Sequence, residues 1–284
     1  FVTSRGRNSH SSRARIHFVK WMVPIAIAGL AAAPALSWTA AAAGPSEARI
    51  VYRTVRLSTP GRPPEVHSVL PSGGGRRLLA RGADQPAWSP RRRRIAFAGT
   101  RVAQAGIWVM NADGTGRRRL TTRPGDGEPT WSPDGRRIAY RSSSATSFDL
   151  WVVPSTGGTR RPLLRTPSAN ELDPDWSPDG RRIAMQSSRG GQIQIWVLTL
   201  STGHARRVTR GGASFSPDWA PDGRRIAFAT GGRIAVVDTV ARRQRILPSG
   251  SPRSADDPAW SPDRRRIAFQ RGGQVLTMRA QDGG

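Results

Sequence analysis

The stretch Trp131-Ser132-Pro133-Asp134-Gly135-Arg136-Arg137-Ile138-Ala139-Tyr140 (WSPDGRRIAY) decides the fold, because the chain repeats it. Four further copies run from Trp88 (WSPRRRRIAF), Trp176 (WSPDGRRIAM), Trp219 (WAPDGRRIAF) and Trp260 (WSPDRRRIAF). Their tryptophans lie 43, 45, 43 and 41 residues apart, and a proline stands two positions ahead of each: Pro86, Pro129, Pro174, Pro217 and Pro258. Each copy spells two short strands around a turn. Proline presets φ, aspartate caps the corner and glycine accepts a positive φ, so the Trp side enters the turn and Ile-Ala-Tyr leaves it.

Outward from each copy, a third strand follows at Ile107-Trp108-Val109, Leu150-Trp151-Val152, Ile195-Trp196-Val197, Ile234-Ala235-Val236 and Val275-Leu276-Thr277. Another turn, such as Asn111-Ala112-Asp113-Gly114, leads to a fourth strand such as Arg118-Arg119-Leu120-Thr121. Four short strands per unit of this period describe a propeller blade. A helical repeat needs an apolar stripe of period 3.6, and none appears after residue 44. The fold class expected is therefore all-β, a β-propeller of four-stranded antiparallel blades. Residues 48–79 read as a blade without its first strand and residues 260–284 as one without its last, which gives six blades; five would result if the two ends shared one.

The repeat resembles the TolB-type, WD-like propeller repeat over roughly residues 48–284, through PxWSPDGRRIAF followed by IWVMNADGTG. The resemblance implies a six-bladed propeller, often extracytoplasmic, that serves in protein–protein contacts. Two features depart from the pattern. Arg91-Arg92 and Arg264 replace parts of Asp-Gly in two turns, and no segment reads as the α/β domain that precedes the propeller in TolB proteins.

Residues 1–43 form a different unit. A basic start (Arg5, Arg7, Arg13, Arg15, Lys20) leads into an uncharged apolar run from Trp21 to Ala43 that ends in small residues. That layout matches a secretory signal, or a retained anchor helix, with the propeller at 44–284 placed outside the cytoplasm in either case. The first residue is Phe1, which suggests a trimmed sequence.

The composition narrows the function. There are no cysteines, which removes disulfides, thiol nucleophiles and cysteine metal sites. Of four histidines, only His67 and His204 fall in the propeller, and both read as surface turn residues. No G-x-S-x-G elbow occurs, and no calcium-loop spacing supports a Ca²⁺ site among the acids. The expectation is a non-catalytic module without cofactor or metal. The alternatives are the propeller of a larger hydrolase or peptidase, and a polyanion-binding envelope protein.

The formal net charge is +26, carried almost wholly by arginine. Strand order predicts two unlike faces. The first–second and third–fourth turns share one, with arginine pairs that include Arg137, Arg182 and Arg225. The other carries acids just ahead of the innermost strands, so Asp84, Glu128, Asp173 and Asp257 become the candidate partner-binding residues at the channel mouth. The partner expected is a protein, with an anionic envelope polymer or lipid as a further possibility for the basic face. No specific nucleic acid is expected, and contact with a membrane only through the N-terminal segment. The recurrent tryptophans read as packing between blades rather than a ligand cage.

Overall fold

A computed structural model describes residues 14–18, 49–56, 63–70, 74–248, 255–271 and 274–280. Blade 1 joins β1 (Ala14–Phe18), β2 (Ile50–Arg56), β3 (Glu65–Val69) and β4 (Arg77–Arg81). Blade 2 comprises β5 (Ala83–Trp88), β6 (Arg94–Gly99), β7 (Gly106–Asn111) and β8 (Arg118–Arg119). In blade 3 the strands are β9 (Gly127–Trp131), β10 (Arg137–Ser143), β11 (Phe148–Pro154) and β12 (Arg161–Leu164). Blade 4 follows with β13 (Glu171–Trp176), β14 (Arg182–Ser187), β15 (Gln194–Thr199) and β16 (Ala205–Arg207). Blade 5 holds β17 (Ser214–Trp219), β18 (Arg225–Thr230), β19 (Arg233–Asp238) and β20 (Gln244–Ile246). Blade 6 has three strands among the described residues, β21 (Asp256–Trp260), β22 (Arg266–Arg271) and β23 (Gln274–Arg279). All pairings are antiparallel between strands consecutive in sequence, the meander that tight turns dictate.

The expected six-bladed propeller is what forms. The unexpected strand is β1, which pairs with β2 in blade 1 and runs beside β22 of blade 6. It comes from the basic stretch ahead of the apolar run. The remaining residues of the expected signal or anchor lie outside the described residues. Among the described residues no helix is long and apolar enough to cross a membrane.

The Ile-Ala-Phe string explains how blades stack. Alternate side chains of a strand point to opposite faces, so Ile and the aromatic share one face and Ala occupies the other. Ala96 of blade 2 packs with Trp131, Ile138 and Tyr140 of blade 3. Ala139 meets Trp176, Ile183 and Met185 of blade 4, and Ala184 meets Trp219, Ile226 and Phe228 of blade 5. Ala227 completes the series against Trp260, Ile267 and Phe269 of blade 6. A methyl group on one sheet thus leaves room for a tryptophan and two large side chains from the next. Burying each isoleucine contributes about 1.5–3 kcal/mol, and Ile95, Ile138, Ile183, Ile226 and Ile267 are all fully buried.

The turns are built as their sequence requires. In each, the amide of the fourth residue donates to the carbonyl of the first: Arg92 to Ser89, Gly135 to Ser132, Gly180 to Ser177, Gly223 to Ala220 and Arg264 to Ser261. That fourth residue has φ between 52° and 69°, whether it is Gly135, Gly180, Gly223, Arg92 or Arg264. The third–fourth turn then docks on the first–second turn of its own blade. Ala112, Ser155, Leu200, Thr239 and Ala280 donate their amides to Arg93, Arg136, Arg181, Arg224 and Arg265. Both turn sets therefore share one face of the disc.

Candidate functional site: a mixed-charge mouth opposite an arginine face

The mouth is set by a backbone irregularity that recurs in five blades. Gln85, Glu128, Asp173, Ser216 and Asp257 each precede the repeat proline and each has a left-handed φ, between 47° and 53°. The register of the innermost strand shifts at this place in blades 2 to 6, between Asp84 and Ala87, Gly127 and Thr130, Leu172 and Asp175, Phe215 and Asp218, and Asp256 and Ala259. Such a bulge re-aims a side chain, and a left-handed non-glycine residue costs about 1–2 kcal/mol. The proline has no amide to offer the ladder, which is why the irregularity falls there.

These residues link to one another around the ring. Glu128 spans three blades' worth of contacts: its amide donates to Gln85 Oε1 at 2.9 Å, its Oε2 accepts the Asp173 amide at 2.7 Å, and its Oε1 lies 2.8 Å from Arg141 Nε. Asp84 is paired with Arg53 at 2.7 Å and also accepts the Gln85 amide. Farther round, Ser216 Oγ donates to Asp257 at 3.1 Å and the Ser216 amide to Gln186 Oε1 at 3.3 Å. Just behind, buried Glu171 pairs with Arg189 at 2.8 Å.

The structure thus brings Asp84, Glu128, Asp173 and Asp257 to one ring position or its immediate neighbour. It also corrects the expected charge of that ring. The mouth is mixed rather than acidic, because Arg53 of the preceding blade neutralises Asp84, Arg141 of the adjacent strand neutralises Glu128, and Arg189 of the second–third loop neutralises Glu171. Gln85 and Ser216 complete the ring. Their signal was present in the sequence as the residue ahead of each proline, hidden by their lack of charge.

On the turn face, Arg137, Arg182 and Arg225 occupy one repeat position and each lies over the tryptophan of the following blade. Arg137 is 4.9 Å from the Trp176 centroid, Arg182 is 4.7 Å from Trp219 and Arg225 is 4.9 Å from Trp260, with Arg94 over Trp131 at 5.2 Å. These arginines clamp neighbouring blades as well as charging the face. Others are spent on carbonyls: Arg118 donates to Ser155 O at 2.9 Å, and Arg206 to Thr239 O at 2.8 Å. The turn aspartates are held below the usual carboxylate range. For Asp134 and Asp263 the cause is the Ser132 or Ser261 hydroxyl, followed by a backbone amide. For Asp179 and Asp222 burial pushes upward, but hydrogen bonds and the adjacent arginine outweigh it.

His67 is a further correction. It sits in β3 rather than a turn, 6% exposed, with its ring stacked on Tyr52 at 5.8 Å and 3.2 Å from Glu65. His204 is exposed and follows the turn after β15. Among the described residues no three His, Asp or Glu side chains are grouped to hold a metal ion.

The TolB β-propeller domain family matches residues 127–283, more than half of the chain. Among solved structures, TolB from Acinetobacter baumannii superposes with a TM-score of 0.67 at 22% identity, covering 81% of this chain and 60% of that one. A chain of the nidogen/laminin complex gives a TM-score of 0.62 at 10% identity, over 77% of this chain and 87% of that one. Puromycin hydrolase gives 0.57 at 16% identity, over 81% of this chain and 43% of that one. No curated protein matches by sequence.

Proposed function

The chain belongs to the TolB β-propeller family, and from that premise we propose that it is a non-catalytic, protein-binding scaffold of the cell envelope, exported from the cytoplasm. Its partner docks on the mouth that carries Asp84, Glu128, Asp173 and Asp257. One observation carries this reading: five left-handed residues ahead of the repeat prolines, none of them glycine, carry polar side chains that hydrogen-bond from blade to blade, Gln85 to Glu128, Glu128 to Asp173 and Ser216 to Asp257. Backbone strain maintained at one surface of a rigid scaffold is characteristic of recognition sites. A mixed-charge rim favours a partner with complementary charges over a simple polycation or polyanion. The nidogen/laminin match is a propeller in a protein complex, which supports a protein partner in general.

The test is affinity capture from envelope extracts with the full chain, beside Asp173→Arg and Asp257→Arg variants. A protein held at low and high salt by the native chain, and lost with either variant, supports the mouth. Capture that the variants leave untouched contradicts it. A second reading, the propeller module of a larger hydrolase or peptidase, is favoured by the match to 43% of puromycin hydrolase. An immunoblot of native extract separates the two: a band far above the mass of 284 residues supports the second.

A further inference from the structure

A cleft of about 750 Å³ opens on the turn face between blades 2 and 3. Its walls include Arg91, Arg93, Arg94, Arg136, Asp134 and Thr156. Four arginines and a single aspartate therefore line it. That carboxylate is already engaged, since Asp134 Oδ1 accepts the Ser132 hydroxyl and the Arg136 amide. Arg94 lies over the Trp131 ring. No hydrogen bond or ion pair engages the guanidinium groups of Arg91, Arg93 or Arg136 among the described residues.

This charge is not simply a property of the repeat. Blade 2 is the one copy whose turn lacks an aspartate: Arg91 stands where the others have Asp134, Asp179, Asp222 and Asp263. In blades 4 and 5 the turn carboxylate meets an arginine, Asp179 with Arg182 at 3.4 Å and Asp222 with Arg225 at 2.8 Å. In blade 2 that partner is replaced by another cation. The next residue, Arg92, takes the glycine's place at φ 52°, so the turn keeps its shape with a conformation glycine would adopt more cheaply.

We propose that this cleft is a binding site for the phosphoryl group of a small anionic ligand. Arginines contributed by two blades to one cleft supply guanidinium forks, each able to bind two phosphate oxygens at once. The volume lies within the range of small-molecule sites, so room remains for the rest of a phosphorylated compound. The site lies on the face opposite the mouth and is independent of the protein-docking reading.

Calorimetric titration of the full chain with inorganic pyrophosphate tests it. The native chain binds one equivalent saturably. Arg91→Asp with Arg92→Gly restores the turn used by the other blades, so it folds, and it binds at least about tenfold more weakly, or about 1.4 kcal/mol. Arg242→Gly with Arg243→Asp makes the same change of charge on the turn face of blade 5 and leaves binding unchanged. Equal weakening by both double variants would reduce the effect to net charge and overturn the site, as would an absence of saturable binding in the native chain. Tighter binding of citrate than of pyrophosphate would overturn the phosphoryl assignment.

Discussion

The guanidinium of Arg137 lies 4.9 Å from the ring centroid of Trp176, the tryptophan that opens the turn of the next blade. The same contact recurs from Arg182 to Trp219 and from Arg225 to Trp260. Residues at fixed positions of adjacent repeats thus form a seam around the disc, and part of the arginine excess is blade-to-blade adhesive.

Removing one stitch has a measurable cost. Arg137→Ala lowers stability by about 0.5–1 kcal/mol for an exposed cation–π pair, including lost stem packing. A double-mutant cycle with Trp176→Leu, followed by urea unfolding, returns a coupling of similar size. Additive single variants would show that the two side chains do not interact.

The alanine opposite each tryptophan is a space requirement. Ala139 is fully buried against Trp176, Ile183 and Met185, so Ala139→Leu overpacks the boundary between blades 3 and 4. The expected loss is about 1–3 kcal/mol, read as a lower denaturant midpoint. No loss would mean that the boundary is looser than this packing implies.

The turn corner prefers glycine for conformation, not for space. Arg264 has φ 64°, and Arg264→Gly raises stability by about 0.5–1 kcal/mol after allowing for the greater freedom of the unfolded chain. The reverse change tests the same point: at Gly135 a Cβ would find its nearest neighbour, Pro90, at 3.8 Å. Gly135→Ala nevertheless costs about 1 kcal/mol because φ is 69°. Thermal melts of both variants check the pair.

Acid weakens the turns in a defined direction. The carboxyls of Asp134 and Asp263 are held below their ordinary value of 3.8, first by the Ser132 and Ser261 hydroxyls and then by backbone amides. A depressed folded pKa gives stability that is fully present above the unfolded value and is lost as pH falls through the folded one. Stability therefore declines below about pH 4. Ser132→Ala with Ser261→Ala flattens that decline, as unfolding midpoints across the acid range would show. A slope unchanged by the variants would assign the acid sensitivity elsewhere.

Much of the scaffold was legible because the repeat states local rules five times. Pro-Asp-Gly specified the turn, Ile-Ala-Phe the strand after it, and the spacing of Trp88 to Trp260 the blade. The sharing of one face by both turns followed from strand order alone. Contacts between strands distant in sequence were not legible. Nothing local announces that Arg53 neutralises Asp84 or that Arg137 reaches Trp176 in the next blade. The mouth therefore reads as acidic in sequence and is mixed in structure. His67 reads as a surface turn residue in sequence, whereas Tyr52 and Glu65, brought beside it by folding, give it a buried partner set. The strand Ala14–Phe18 was masked by the basic, leader-like composition around it.

Docking of a protein partner on the face that carries the mouth would leave a covalent trace there. The most direct measurement places a photo-cross-linking residue at Asp173, on the mouth, or at Arg181, on the turn face, in the full chain expressed in its own cells. A discrete heavier adduct is expected from position 173 and none from position 181. An adduct from position 181 alone would contradict docking at the mouth and move the docking surface to the arginine face.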